Sequence, residues 1–131
     1  MLRLFFIALG GAIGTLFRYV ISNLDYKFSN GIFPFSTLLV NLSGSLIIGL
    51  LWGLSERLAV SSTVRMFIFI GLLGGFTTFS TFALENFNLM RDGEFRIAAV
   101  NIVLSNILGV AFVFIGFWLS RFLLNNLKGG V

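Results

Sequence analysis

The sequence contains no cysteine and no histidine among its 131 residues. Without them the chain has no disulfide, no thiolate nucleophile, no Cys/His zinc site and no histidine acid–base chemistry. Charge is also scarce, since Asp, Glu, Lys and Arg together make up 11% of the residues, against about 25% in a soluble domain. A chain this small and this poorly charged could not keep its surface hydrated, which excludes an ordinary soluble enzyme and a disordered segment.

Apolar residues take the place of the missing charge. They make up 57% of the chain, and the mean hydropathy is +1.01. The 9 basic and 5 acidic residues give a net charge of +4. No basic cluster is interleaved with aromatic residues, so the pattern does not indicate a nucleic acid partner. We predict an integral membrane protein whose basic excess meets the anionic headgroups of the lipid bilayer.

Four apolar stretches are long enough for a membrane helix, which needs about 20 residues. They cover approximately residues 4–22, 36–54, 64–90 and 97–124. Their continuity favours helices over the alternating strands of a barrel, and the short connectors predict a single four-helix domain over residues 1–131. The first stretch follows Arg3, as in a signal peptide. Because three more spans follow it rather than a soluble region, we interpret it as a span.

The basic residues give only a weak signal for orientation. With four spans both termini lie on one side, which carries five basic residues, and the other side carries three, or four with Arg18. The five are Arg3, Arg57, Arg65, Arg121 and Lys128, and the three are Lys27, Arg91 and Arg96. The distribution of Lys and Arg sets a single orientation in the membrane only when one side clearly carries more of them. Two interpretations therefore stay open: one weakly specified orientation, and insertion in both orientations.

Polar and small residues recur every four positions in two of the spans, which places them on one helical face. The second span has Thr37, Asn41, Ser45, Gly49 and Gly53, and the fourth has Asn101, Ser105 and Gly109. Such stripes are either packing seams or the lining of a pathway. The amide of Asn41 needs hydrogen-bond partners in either case.

The first span ends with a basic residue and carries small residues along one face. Gly10, Gly11 and Gly14 have the spacing typical of close helix packing. Arg18, near the end of the span, either extends to the lipid headgroups or takes part in a polar site.

The third span has the sequence least suited to a straight helix in lipid. The pair Gly74-Gly75 is followed by four hydroxyl residues within five positions, namely Thr77, Thr78, Ser80 and Thr81. Glycine loosens a helix, and hydroxyls capture the freed backbone groups. We therefore predict a helix broken at the glycine pair, which a membrane tolerates where the break is buried or lines a cavity. Glu85, toward the end of this span, either caps a loop or pairs with an arginine.

The spans offer neutral donors and aromatic rings rather than charges. No Lys or Arg lies at the centre of a span, and the sequence has no acidic ring to attract a cation. Hydroxyl and amide donors, together with the positive edges of Phe rings, favour a small anion and bind it weakly enough for release. These features alone do not select the ion.

Three motifs resemble those of the CrcB/Fluc fluoride channels, and the resemblance covers nearly the whole chain. The motifs are Gly10-Gly11-x-x-Gly14-x-x-x-Arg18-Tyr19, Thr37-Leu38-x-Val40-Asn41 and Gly71-x-x-Gly74-Gly75-Phe76-Thr77-Thr78-Phe79-Ser80-Thr81-Phe82-x-x-Glu85. The third is the most specific of them. The fourth span matches only through its stripe of Ser105 and Gly109.

The resemblance implies an all-α membrane protein of four transmembrane helices, the third broken near its centre. It further implies an antiparallel, dual-topology homodimer with two pores in the plasma (inner) membrane. Such a protein exports fluoride passively, which limits fluoride toxicity, and is not an enzyme. The nearly balanced basic residues agree with the dual topology.

The resemblance also assigns roles to individual residues. The ring edges of Phe79 and Phe82 would contact the passing fluoride, and Asn41 would project into the pore. The remaining members of the candidate pathway are Ser80, Thr81, Ser105, Thr37 and Arg18. A structural Na⁺ at the dimer centre would be held by the backbone carbonyls of Gly74 and Thr77.

Two other functions suit a small four-helix protein. A proton-coupled multidrug exporter of this size needs a carboxylate deep in its first span, and residues 4–22 contain none. A non-transporting accessory subunit would not require aligned Asn, Ser and Thr side chains and a broken third helix.

Overall fold

A computed structural model describes residues 1–23 and 32–128, and all regular secondary structure in these residues is helical. Lys27 and most of the first predicted connector lie outside the described residues, as does the side chain of Lys128.

Four helical spans cross the predicted membrane. Helix α1 covers Leu2–Ser22 and α2 covers Phe35–Ser55; the third span consists of α3, residues 62–76, and α4, Phe79–Arg91; α5 covers Phe95–Lys128. Each span is long and apolar enough to cross a bilayer, which confirms the prediction of four membrane helices with the third one broken. The 34 residues of α5 extend over about 50 Å, so this helix tilts in an apolar layer of about 30 Å or continues beyond it.

The helices pack in two pairs, α2 on α5 and α1 on α3, and glycine lets the backbones touch in both. A Cβ at Gly49 would collide with the carbonyl of Val113, and one at Gly116 with the carbonyl of Leu46. Between α1 and α3, a Cβ at Gly71 would lie 2.7 Å from the Ile7 carbonyl oxygen. Gly10 and Gly14 also face the backbone of α3, so the prediction of close packing in the first span is confirmed.

The break in the third span lies after the glycine pair. Residues Met66–Leu72 form a π-helix, and Leu73–Phe76, which include both glycines, are α-helical. The extended residues are Thr77, with φ −78° and ψ 158°, and Thr78, with φ −149° and ψ 120°. The sequence prediction of a break at Gly74-Gly75 was therefore wrong by two to three residues. Gly75 serves packing instead, because a Cβ there would lie 2.6 Å from the Gly11 carbonyl oxygen.

Polar contacts link the end of α2 to the start of α3 and to the last part of α5, on the side of the membrane where the termini lie. Arg121 forms an ion pair of 2.7 Å with Glu56, and Glu56 also accepts a 3.0 Å hydrogen bond from the Trp52 indole. Arg65 donates to Ser55 over 3.2 Å and lies over the Trp52 ring. These contacts place Arg65 and Arg121 on the same side, as the count of basic residues assumed.

Candidate functional site

The amide of Asn41 closes the break in the third span. Its Nδ2 donates to the Thr78 carbonyl over 2.9 Å, and its Oδ1 accepts from the Thr78 N–H over 2.8 Å. One side chain of α2 thus satisfies both backbone groups of an extended residue, which would be costly to leave unpaired in a membrane. The second hydrogen of the Asn41 NH₂ group is not used by these two bonds.

A cluster of hydroxyl groups lies where α4 begins. The Thr78 hydroxyl caps the helix, since it accepts from the Thr81 N–H over 3.2 Å, as Thr often does at this position. The same hydroxyl donates to Thr81 Oγ1 over 3.0 Å and lies 3.5 Å from Ser80 Oγ. Ser80 and Thr81 are exposed. The positive end of the α4 dipole adds to these donors, so this end of the helix favours an anion.

Helix α1 reaches the other side of the break. The Arg18 guanidinium donates to the Thr77 carbonyl over 3.5 Å, and the Thr15 hydroxyl donates to the Gly75 carbonyl at the same distance. Both bonds are long. Arg18 is thus directed at the polar end of α3.

A cavity of about 340 Å³ adjoins the break. Its polar lining consists of Asn41, Ser45, Thr77 and Thr78, with Gly74 and the ring of Phe79 beside them. Phe79 is 78% exposed, whereas Phe82 is 9% exposed. The two ring centroids are 5.7 Å apart, with the ring planes tilted by 43°, so the two rings form one aromatic pair that begins at the cavity.

The predicted site residues are brought together only in part. Asn41, Phe79, Gly74 and Thr77 line the cavity, and Phe82 adjoins it through the ring of Phe79. Two members of the candidate pathway make contacts elsewhere. The Thr37 hydroxyl donates to Glu85 over 2.6 Å, and the Ser105 hydroxyl donates to Asn101 over 3.3 Å. Glu85 therefore has a threonine as a partner.

Two residues of the site were not among the residues predicted for the ion pathway or the cation. Thr78 anchors the break, and its signal was a hydroxyl residue directly before a helix, the preferred N-cap. Asn86 is buried, and it donates to the Phe82 carbonyl over 2.7 Å. No pattern in the sequence distinguishes this residue, because it belongs to neither polar stripe.

Comparison with known proteins gives a consistent result. The family model described as "CrcB-like protein, Camphor Resistance (CrcB)" matches residues 5–117. A protein of Parabacteroides distasonis named "Fluoride-specific ion channel FluC" is 42% identical over 128 residues, which cover 98% of this chain and all of the relative. A protein of Desulfotalea psychrophila with the same name is 47% identical over 90% of this chain and 92% of its own length. One of Desulforapulum autotrophicum, also so named, is 46% identical over 88% of this chain and 94% of its own length.

Proposed function

The chain belongs to the CrcB family of membrane proteins, and from that premise we propose that it is a fluoride-specific ion channel. The observation that carries this conclusion is its similarity, over nearly its whole length, to proteins that bear this name. Four membrane-spanning helices fit a multi-pass protein of the plasma membrane. A channel moves its ion without making or breaking covalent bonds, so the chain is not an enzyme.

The test of this function is fluoride efflux from proteoliposomes. Vesicles loaded with potassium fluoride are diluted into fluoride-free buffer, a potassium ionophore balances the charge, and an electrode records external fluoride. We expect rapid fluoride release and no release of chloride from matched vesicles. Folded protein that releases no fluoride would contradict the proposal. Uptake of an organic cation driven by a proton gradient would instead indicate a multidrug exporter, and no transport of either kind an accessory subunit.

The residues around the break provide the pathway in this proposal. Fluoride that leaves water needs replacement donors, and the free hydrogen of the Asn41 amide and the hydroxyls of Ser80 and Thr81 can supply them. The edges of the Phe79 and Phe82 rings add positive potential without a charge. Neutral donors hold an anion more weakly than a buried Lys or Arg would, which permits fast release.

We propose that the working unit is an antiparallel homodimer. The exposed residues within the described spans include one glycine and four small polar or amide residues: Gly74, Thr15, Ser80, Thr81 and Asn106. Polar side chains in the middle of a span do not face lipid. A second copy that covers this surface supplies a protein surface there instead. The weak bias of the basic residues supports opposite orientations of the two copies.

We propose further that a structural Na⁺ lies at the dimer centre, on the carbonyls of Gly74 and Thr77. A two-fold axis beside the break brings two such oxygens from each copy together. Among the described residues no group of three or more His, Cys, Asp or Glu could hold a metal ion. Uncharged oxygens suit a monovalent cation, because divalent ions normally require carboxylates or water.

The cation can be tested by replacing Na⁺ with a large organic cation on both sides of the membrane. We expect fluoride efflux to decline slowly, as bound Na⁺ leaves, and to recover when Na⁺ returns. Thr77→Ser keeps the carbonyl and should have a mild effect, whereas Gly74→Leu should abolish efflux. Full activity after prolonged and complete removal of Na⁺ and similar small cations would be incompatible with a structural cation.

The structure indicates what the substitution at Gly74 measures. The nearest atom to a Cβ at Gly74 is the Phe69 carbonyl oxygen, at 3.8 Å, so a side chain there fits within the subunit. Loss of efflux in folded Gly74→Leu therefore reports on the partner, on the cation or on the cavity that Gly74 also lines, and the Na⁺-replacement experiment separates the cation from the other two. Gly75→Leu is the matched comparison, since a Cβ there meets the backbone of Gly11 within the subunit, and this variant should fold poorly.

Asn41→Ala should lower both stability and fluoride efflux. It leaves the N–H and the carbonyl of Thr78 without their partner, at a cost of about 1–3 kcal/mol for a buried polar group, and it removes a donor from the cavity. Thermal unfolding in detergent and efflux from proteoliposomes measure the two effects. Ser45→Ala, one turn away in the same cavity, should be milder on stability. Parental stability and efflux in Asn41→Ala would show that the break does not depend on this amide.

A further inference from the structure

A chain of buried amides joins α4 to α5 beside the candidate pathway. Asn86 on α4 is 3% exposed, and Asn101 on α5 is 1% exposed. Asn101 Nδ2 donates to Asn86 Oδ1 over 3.1 Å, and Asn86 Nδ2 donates to the Phe82 carbonyl over 2.7 Å. At the other end the Ser105 hydroxyl donates to Asn101 Oδ1 over 3.3 Å. The chain thus links the backbone of Phe82 with the hydroxyl of Ser105, both of which belong to the candidate pathway.

One carbonyl sets the direction of every bond in this chain. The Phe82 oxygen can only accept, so Asn86 turns its NH₂ toward Phe82 and its oxygen toward Asn101. Asn101 must then donate to Asn86 and present its own oxygen to Ser105, which directs the hydroxyl hydrogen of Ser105 inward. Reversal of Asn86 would bring like groups together at both of its contacts, and reversal of Asn101 would do so at its contact with Asn86. Because unsatisfied buried amides are costly, the direction is fixed.

We propose that Asn86 and Asn101 are positioning residues for the ion pathway. They hold α4 on α5 at the level of Phe82, and they hold the Ser105 hydroxyl hydrogen toward the protein interior. Among the described residues α4 packs mainly on α5, so this contact determines where the aromatic pair lies. The inference rests on the proposed fluoride channel and deepens it.

The test compares the single variants Asn86→Leu and Asn101→Leu with the double variant. Each single change leaves a buried amide without its partner and should lower the midpoint of thermal unfolding. The double change removes both amides, while the Phe82 carbonyl keeps its bond within the helix, so the midpoint should return close to the parental value. Fluoride efflux in the double variant should nevertheless stay about tenfold below parental, because α4 and the Phe82 ring lose the contact that positions them on α5. A tenfold change corresponds to about 1.4 kcal/mol in the barrier.

If Asn86 and Asn101 only stabilise the fold, the double variant should conduct fluoride at the parental rate. Parental efflux in the double variant would overturn the proposal, and so would parental stability in both single variants. Asn125→Leu, an exposed amide near the end of α5, controls for the change of residue type and should alter neither quantity.

A second measurement decides the question if the double variant does not fold. Ser105 and Asn86 are linked through Asn101, so a double-mutant cycle in efflux between Ser105→Ala and Asn86→Ala should show coupling. Additive effects would overturn the proposal. Failure of the parental protein to conduct fluoride would count against the proposed function alone, because the stability comparison still tests the amide chain.

Discussion

Fluoride efflux through a Phe79→Ala channel is expected to fall by about tenfold or more, the factor that about 1.4 kcal/mol in the barrier produces. The Phe79 ring lines the cavity at the break, and in this proposal its positive edge replaces part of the water that the ion loses. The folded state should survive the change, since Phe79 is 78% exposed in the single chain and makes few contacts there. Efflux and thermal unfolding measured on the same preparation separate the two effects.

Phe82→Ala should reduce efflux as well, but it also removes a buried ring. Phe82 is 9% exposed, and deletion of such a side chain costs about 3–5 kcal/mol of folding stability. Phe79→Ala is therefore the cleaner probe of conduction. Met or Ile at either position keeps bulk without the ring quadrupole, so residual efflux in these variants measures how much shape alone contributes. Parental rates in both alanine variants would show that the rings only pack.

The architecture was predictable from the sequence because hydropathy and small-residue spacing are local signals. Four apolar runs of sufficient length indicate four membrane helices. The glycine spacing in the first span indicates a close helix contact, which the structure has between α1 and α3. Neither signal depends on which helix is the partner.

The details of the site depend on partners that are distant in the sequence. A glycine pair weakens a helix, but the position of the break is set by where Asn41 can pair with an extended residue, and that residue is Thr78. The link between Asn86 and Asn101 likewise requires the packing of α4 on α5. The periodicity of residues within one span contains no information on contacts between spans. The aromatic pair and the cation were predicted only from the resemblance to a known family.

Fixing the orientation of the chain should silence it, and mixing two opposite orientations should restore it. The motivation is the nearly even distribution of basic residues, five against three or four. Leu58 and Ala59 lie exposed in the loop after α2, on the side of the termini, so Leu58→Lys with Ala59→Lys strengthens the bias toward that side. If two antiparallel copies form the channel, this variant expressed alone lacks its partner and should conduct no fluoride.

The opposite variant reverses the balance. Arg3→Gln and Arg57→Gln remove basic residues from the side of the termini, and Asp92→Lys and Glu94→Lys add them at the turn between α4 and α5, where both acids are exposed. This variant should also be silent alone, whereas co-expression of the two variants should restore efflux because each supplies the orientation that the other lacks. Tags on the termini, probed from each side of the membrane, report the orientation directly. Parental termini found on only one side, or full efflux from either variant alone, would contradict the antiparallel assembly.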